Sequence, residues 1–314
     1  MISRRIIRTK VMHIIYANLC NSGKTISESE QELLYSVNKA YDLYHLLLAL
    51  PVELSKIAED KIERAKNKKM PTHEDLNPNT RFINNPVVGQ LRENNNLNDY
   101  FEKNKLNWIN HYEILKKLFQ SLTETDFYQA YMSKENVTYD DHKKLIEEIF
   151  NCIVVPSEEL EEELEELSIY WHDDFNFVCS MVIKSIKKLK KDSDENYRLM
   201  NLYKDDEDLK FTKDLLRKTL VNHSDNQDIL VKYTKNWDID RIALLDNIIM
   251  EMALTEFITF PSIPVKVTLN EYIDLAKYYS TKKSSTFVNG ILDKMLQDYQ
   301  SNDKIKKAGR GLQG

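Results

Sequence analysis

The chain has 314 residues, 42% hydrophobic and 30% charged, with a net charge of -6, which fits one large or two smaller domains with a substantial core. Only 6 Gly and 7 Pro occur, so many-stranded folds are disfavoured and long helices are expected. Cys20, Cys152 and Cys179 are too few and too scattered for a disulfide framework or a paired-cysteine metal site, and suit a reducing cytoplasm. No apolar run reaches the roughly 18 residues of a membrane span. The N-terminus alternates Arg with Ile and lacks a signal-peptide core. The charge is unevenly spread: residues 1–20 carry +4, residues 261–314 another +4, and the middle -14. Basic ends that met in space could hold an anionic polymer.

The spacing predicts a helix over 3–20, with Ser3 as N-cap and Ile7, Val11, Ile14, Ile15 and Leu19 as its apolar stripe. Arg4, Arg5 and Arg8 lie in its first turns, where cations oppose the helix dipole. Solvated surface arginines and contacts to an anion are both open readings of that cluster. A polar loop around Gly23 precedes a helical stretch from Glu30 to about Lys66, interrupted or restarted at Pro51. Residues 67–96 hold Pro71, Pro78, Pro86 and many asparagines, and read as an irregular excursion. Helical patterns return at 97–120, 124–133 and 140–152. Glu158 to Glu166 contains seven glutamates, with Leu160, Leu164 and Leu167 at helical spacing, and reads as a solvated helix face. A buried helix over 168–191 follows, ending in lysines.

From about 205 the apolar spacing tightens into two helices, then a long one capped by Asp238 and carrying Ile242, Leu245, Ile249, Met252 and Phe257. Pro261 and Pro264 end it. Thr268 and Glu271 have capping-box spacing and are expected to start the next helix. Lys282, Lys283, Ser284 and Ser285 form a polar, basic break before a helix with Phe287, Val288, Ile291, Leu292 and Met295. Gly290 inside it predicts close approach of another backbone.

Six scattered glycines make no phosphate-cradling loop, and no nucleophile has an identifiable base. The two His/acid clusters, Asp140-Asp141-His142 and His172-Asp173-Asp174, place adjacent side chains in different directions, so neither is a ligand set by itself. An enzyme is therefore the weaker class, and no cofactor is expected. Binding of nucleic acid is better supported: Arg4, Arg5, Arg8, Lys282 and Lys283 supply charge. Tyr16, Tyr278, Tyr279 and Phe287 are candidate stackers, with core packing the competing role for Phe287.

Four blocks carry a resemblance: Trp237-Asp-Ile-Asp-Arg-Ile-Ala, Ile263-Pro-Val-Lys-Val, Asn270-Glu-Tyr-Ile-Asp-Leu-Ala-Lys277 and Phe287-Val-Asn-Gly-Ile-Leu-Asp-Lys294. In order and spacing they resemble the transcription antitermination factor NusB family. Arg4-Arg5-x-x-Arg8 with Tyr16 resembles that family's first helix. The resemblance covers about 1–20 and 207–297; members are near half this length. It implies an all-α, NusB-like helical bundle, with 21–206 a mostly helical insertion of unknown role and 298–314 a flexible tail. It also implies a cytoplasmic, non-enzymatic factor that binds boxA-type single-stranded RNA together with ribosomal protein NusE. Within the RNA polymerase antitermination complex, such a factor promotes processive transcription of ribosomal RNA operons. By the same resemblance Arg4, Arg5, Arg8, Tyr16, Lys282, Lys283, Ser284, Phe287 and Asn289 are RNA-binding, and Asp246 is partner-binding. The chain departs from the family pattern at Lys282 and Lys283, where members often carry acids, and at Thr286, where they carry lysine. A protein-only helical adaptor in the transcription or ribosome-assembly machinery is the alternative. An RNA methyltransferase fusion would need a glycine-rich cofactor loop that this composition lacks.

Overall fold

Ser3 caps the first helix in the computed structural model: its extended backbone lets the hydroxyl accept from Ile6 N at 3.4 Å. The structure describes residues 1–21, 24–234, 242–281, 283–302 and 304–312. The protein is all-α: fifteen α-helices and no strand occur among the described residues. None of these helices is long and apolar enough to cross a membrane. Two compact units are formed, one of Ile2–Val37 with Tyr203–Gly314, the other of Asn38–Leu202 with Met1. The division falls inside the second helix rather than at residue 21.

Helix α1 (Arg4–Cys20) is followed by α2 (Ile26–Lys66), which runs through Pro51 without ending. An interior proline costs about 3 kcal/mol or more in lost hydrogen bonding and clash. Here the flanking Leu50, Val52 and Leu54 are all buried, and their packing offsets it. Nearly half of the expected excursion is helical, in α3 (His73–Leu76), α4 (Pro86–Glu93) and the start of α5 (Asn95–Asn104). Two of the asparagines that read as loop, Asn85 and Asn94, are N-caps. Asn85 accepts from Val87 N at 2.9 Å ahead of Pro86, and Asn94 accepts from Leu97 N at 2.9 Å. The predicted 97–120 helix breaks at Lys105, whose φ of 55° closes α5; α6 (Tyr112–Thr123) then begins anew.

Next come α7 (Asp126–Ser133), α8 (Tyr139–Ile149), a π turn over Phe150–Val154, the acidic α9 (Glu158–Leu167) and α10 (Phe175–Lys188). In α9, Leu160 and Leu164 are buried and Leu167 is exposed. The core of this unit gathers around the buried face of α2. Trp108 and Trp171 donate to the α2 carbonyls of Leu46 and Lys39. The His/acid clusters are structural: Asp141 completes the cap of α8, His142 pairs with the Tyr131 hydroxyl, and His172 pairs with Glu165.

In the terminal unit, α11 (Asp206–Val221) and α12 (His223–Tyr233) precede α13 (Leu244–Thr259). The expected cap Asp238 lies outside the described residues, and Ile242 precedes the helix rather than sitting in it. Helix α13 is buried along most of its length and is the unit's centre, with α1, α11, α14 (Val265–Tyr279) and α15 (Ser284–Ser301) against it. The capping box is not realised. Helix α14 starts three residues earlier, after Pro264, and Thr268 is buried within it. The segment expected to be a flexible tail is partly held: α15 reaches Ser301 with Tyr299 buried, and Ala308 N donates to Pro261 O at 3.0 Å.

Candidate nucleic-acid interface

The three arginines of α1 meet three different fates. Arg8 turns inward, 3% exposed, and its Nε and Nη2 donate to the two carboxylate oxygens of Glu256 at 2.8 and 2.7 Å. Glu256 is fully buried on α13 and also accepts from Thr268 Oγ1 at 2.8 Å and Tyr272 Oη at 3.0 Å. Glu271 approaches Arg8 Nη1 at 3.5 Å. Burial disfavours the guanidinium charge, but Glu256's charge and hydrogen bonds outweigh it and raise the Arg8 pKa. The implied RNA contact of Arg8 is thus overturned: the side chain is a buried clamp joining α1 to α13 and α14. The sequence held a signal for this, since an acid within a helix rich in apolar residues needs a buried partner.

Arg4 lies on the same stripe, half-buried, with Nε donating to Asp208 at 2.8 Å and its guanidinium 5.1 Å from the Phe211 ring centre. Arg5 points to another side. Its guanidinium reaches Asp274 at 3.3 Å, stands 5.8 Å from the ring centre of Tyr278, and is about half exposed. Tyr278 is 67% exposed, and Lys277 beside it is exposed and forms no ion pair among the described residues. Further along α1, His13 meets Tyr279 edge-on, ring centres 5.3 Å apart. Tyr16 is 42% exposed. The outward side of α1 and the end of α14 therefore form one surface of Arg5, His13, Tyr16, Lys277, Tyr278 and Tyr279. Asp274, Lys277 and His13 were missed as site residues; Lys277 stood in a quoted motif without a role.

Helix α14 leads directly into the basic break. Lys282 lies outside the described residues. Lys283 is exposed at the start of α15, and Phe287 and Asn289 are half-buried on its first turns. Ser284 and Asp246 are buried instead. The serine hydroxyl donates to Asp246 Oδ2 at 2.7 Å, while Asp246 Oδ1 is buried with no hydrogen-bond partner among the described residues. Neither side chain is presented to RNA or to a partner protein. Gly290 is exposed, and a Cβ there would meet nothing within 4 Å, so it packs against no backbone. Its neighbours Val288, Ile291 and Leu292 bury the opposite face of the helix.

The terminal unit is thus a helical bundle that exposes arginine, lysine and tyrosine along one face, over a clamp of buried charge. Residues 175–297 match the NusB family model. The chain is 42% identical over 104 residues to the transcription antitermination protein NusB of Salinibacter ruber, covering 33% of this chain and 65% of that protein. It is 39% identical over 98 residues to the protein of that name from Chloroherpeton thalassium, covering 31% and 46%. With the one from Clostridium kluyveri it is 42% identical over 86 residues, covering 26% and 53%. This chain spans less than two thirds of the length of each of these relatives. No solved structure matches. The similarity to the NusB family thus lies within residues 175–297. The match begins within α10 and does not include α1, whose place in the unit comes from the Arg8–Glu256 pair.

Proposed function

We propose that this chain is an RNA-binding transcription antitermination factor. It binds boxA-type single-stranded RNA together with ribosomal protein NusE, and promotes processive transcription of ribosomal RNA operons within the RNA polymerase complex. The observation that carries this reading is the 39–42% identity of its C-terminal region to proteins named transcription antitermination protein NusB. The matched region includes Tyr278, which stands beside Arg5 of α1, and the exposed Lys277 and Lys283. The reading involves binding and no chemistry: cations contact phosphates, and aromatic rings stack on unpaired bases.

The contacting set is Arg5, Tyr16, Lys277, Tyr278, Lys283, Phe287 and Asn289. Titration of boxA-like RNA with the Arg5→Ala and Lys283→Glu chains tests it. Each loses affinity, and the Arg5→Ala chain's salt slope shrinks by about 0.7 for the lost phosphate contact. Unchanged affinity in both variants sinks this site.

One observation favours a second reading, a protein-only adaptor: each arginine of α1 already faces an acid, which lowers the charge open to phosphate. Capture of NusE after nuclease treatment, with no measurable RNA affinity, selects it.

A further inference from the structure

The unit built on residues 38–202 has a cleft of its own, about 640 Å³ in volume, between the last turns of α2 and one face of α6. On α2 its lining residues are Ile57, Lys61, Arg64 and Ala65, which share one stripe at three- and four-residue spacing, and Lys68 lines it just past the helix end. On α6 they include Tyr112, Lys116 and Phe119, again on one stripe. The floor is apolar, from Ile57, Ala65 and Phe119, and the rim is cationic. Four basic side chains line the cleft against Asp75 and Glu124, and Asp75 is already taken by Lys68 at 2.9 Å. Lys61 and Arg64 are exposed and form no ion pair among the described residues.

We propose that this cleft docks an acidic amphipathic helix of a partner protein, with apolar side chains on the floor and glutamates or aspartates against the rim. Charge complementarity names the sign of the partner. Length names its form: Ile57 to Ala65 spans about 12 Å of helix rise, a little over two turns of a helix laid in a groove. Nucleic acid fits less well. Phe119 is buried with the Lys61 ammonium 5.8 Å from its ring centre, and Tyr112 is half-buried with its hydroxyl accepting from Arg64 at 3.1 Å. Neither offers the open ring face on which an unpaired base stacks. The proposal is independent of the RNA-binding reading and concerns a different unit.

The test is a fluorescence-anisotropy titration of the full chain against a labelled, end-capped peptide of leucines at helical spacing with glutamates elsewhere. Wild type binds it saturably and ignores the same peptide with lysines for glutamates. The double variant Lys61→Glu/Arg64→Glu, and separately Lys116→Glu on the other wall, weaken binding by about tenfold or more. Lys66→Glu/Lys69→Glu, which changes net charge equally on the same chain outside the cleft, leaves it within about twofold. Circular dichroism verifies that all variants are folded. Absence of saturable binding by wild type, or an equal loss in the control pair, overturns the proposal. So does single-stranded RNA that displaces the peptide and itself loses affinity in the cleft variants, which assigns the cleft to nucleic acid.

Discussion

Arg8→Ala separates a structural arginine from a surface one. It removes both charged hydrogen bonds to Glu256 and leaves a fully buried carboxylate with two neutral donors, Thr268 and Tyr272. Breaking a buried ion pair from one side costs about 3–5 kcal/mol, because the remaining charge stays desolvated. In a unit of this size that lowers the melting midpoint by roughly 10 °C. Amide hydrogen exchange of the full chain follows the terminal unit separately from the other one. Exchange in α1, α13 and α14 accelerates in Arg8→Ala, while α5 to α10 keep wild-type protection. Arg8→Met/Glu256→Leu recovers a large part of the loss, since the unpaired charge is gone. Arg5→Ala, whose ion pair with Asp274 is about half exposed, stays within about 0.5 kcal/mol of wild type. The reasoning is refuted if Arg8→Ala keeps native melting and exchange.

Glu251 gives the terminal unit a pH dependence. Burial pushes its carboxyl from 4.5 up to about 7, partly countered by His223 at 2.9 Å. Between those pH values the native state holds a proton that the unfolded chain has released, so stability falls as pH rises. The loss is about 3 kcal/mol by pH 7 and level above it. Urea unfolding of wild type and Glu251→Gln across that window checks this: the glutamine chain gives a flatter profile, and a wild-type profile that rises with pH contradicts it. Gly290→Ala stabilises by about 0.5–1 kcal/mol, because the site is exposed, helical and open to a Cβ. A lowered melting midpoint would return Gly290 to the close-packing role. Gly311→Ala places a Cβ 1.9 Å from Pro261 O and so releases residues 304–312. Faster amide exchange at Ala308 reports it, and unchanged exchange shows that the segment is not seated there.

The fold class was legible because apolar spacing in α1, α9, α11 and α15 is simple and punctuation is sparse. What was illegible depended on contacts distant in sequence. Thr268 and Glu271 have the spacing of a cap, yet both face the Arg8–Glu256 pair, so tertiary hydrogen bonding outweighed a local signal. Pro51 reads as a stop, but burial on both sides carries α2 through it. The asparagines of 84–96 read as loop because capping residues and turn residues are the same residue types. At the candidate site, exposure separated residues that the motif grouped. Ser284 and Asp246 bond each other beneath the surface, while Lys283 and Tyr278 stand outside it.

The Arg-Arg-x-x-Arg motif therefore joins two tasks by helical geometry. Positions 4 and 8 share a stripe, and both guanidiniums stand near the ring of Phe211, at 5.1 and 5.3 Å. Position 5 lies about 100° around the helix and faces Asp274 and Tyr278. A loss of RNA affinity in Arg8→Ala would then be indirect, through a displaced α1 that no longer sets Arg5 beside Tyr278. Salt dependence tells the two causes apart. Removing one phosphate contact at Arg5 lowers the slope of log affinity against log salt by about 0.7 at unchanged exchange protection. Loosening α1 through Arg8 raises exchange along α1 and α14 before any change in slope is read.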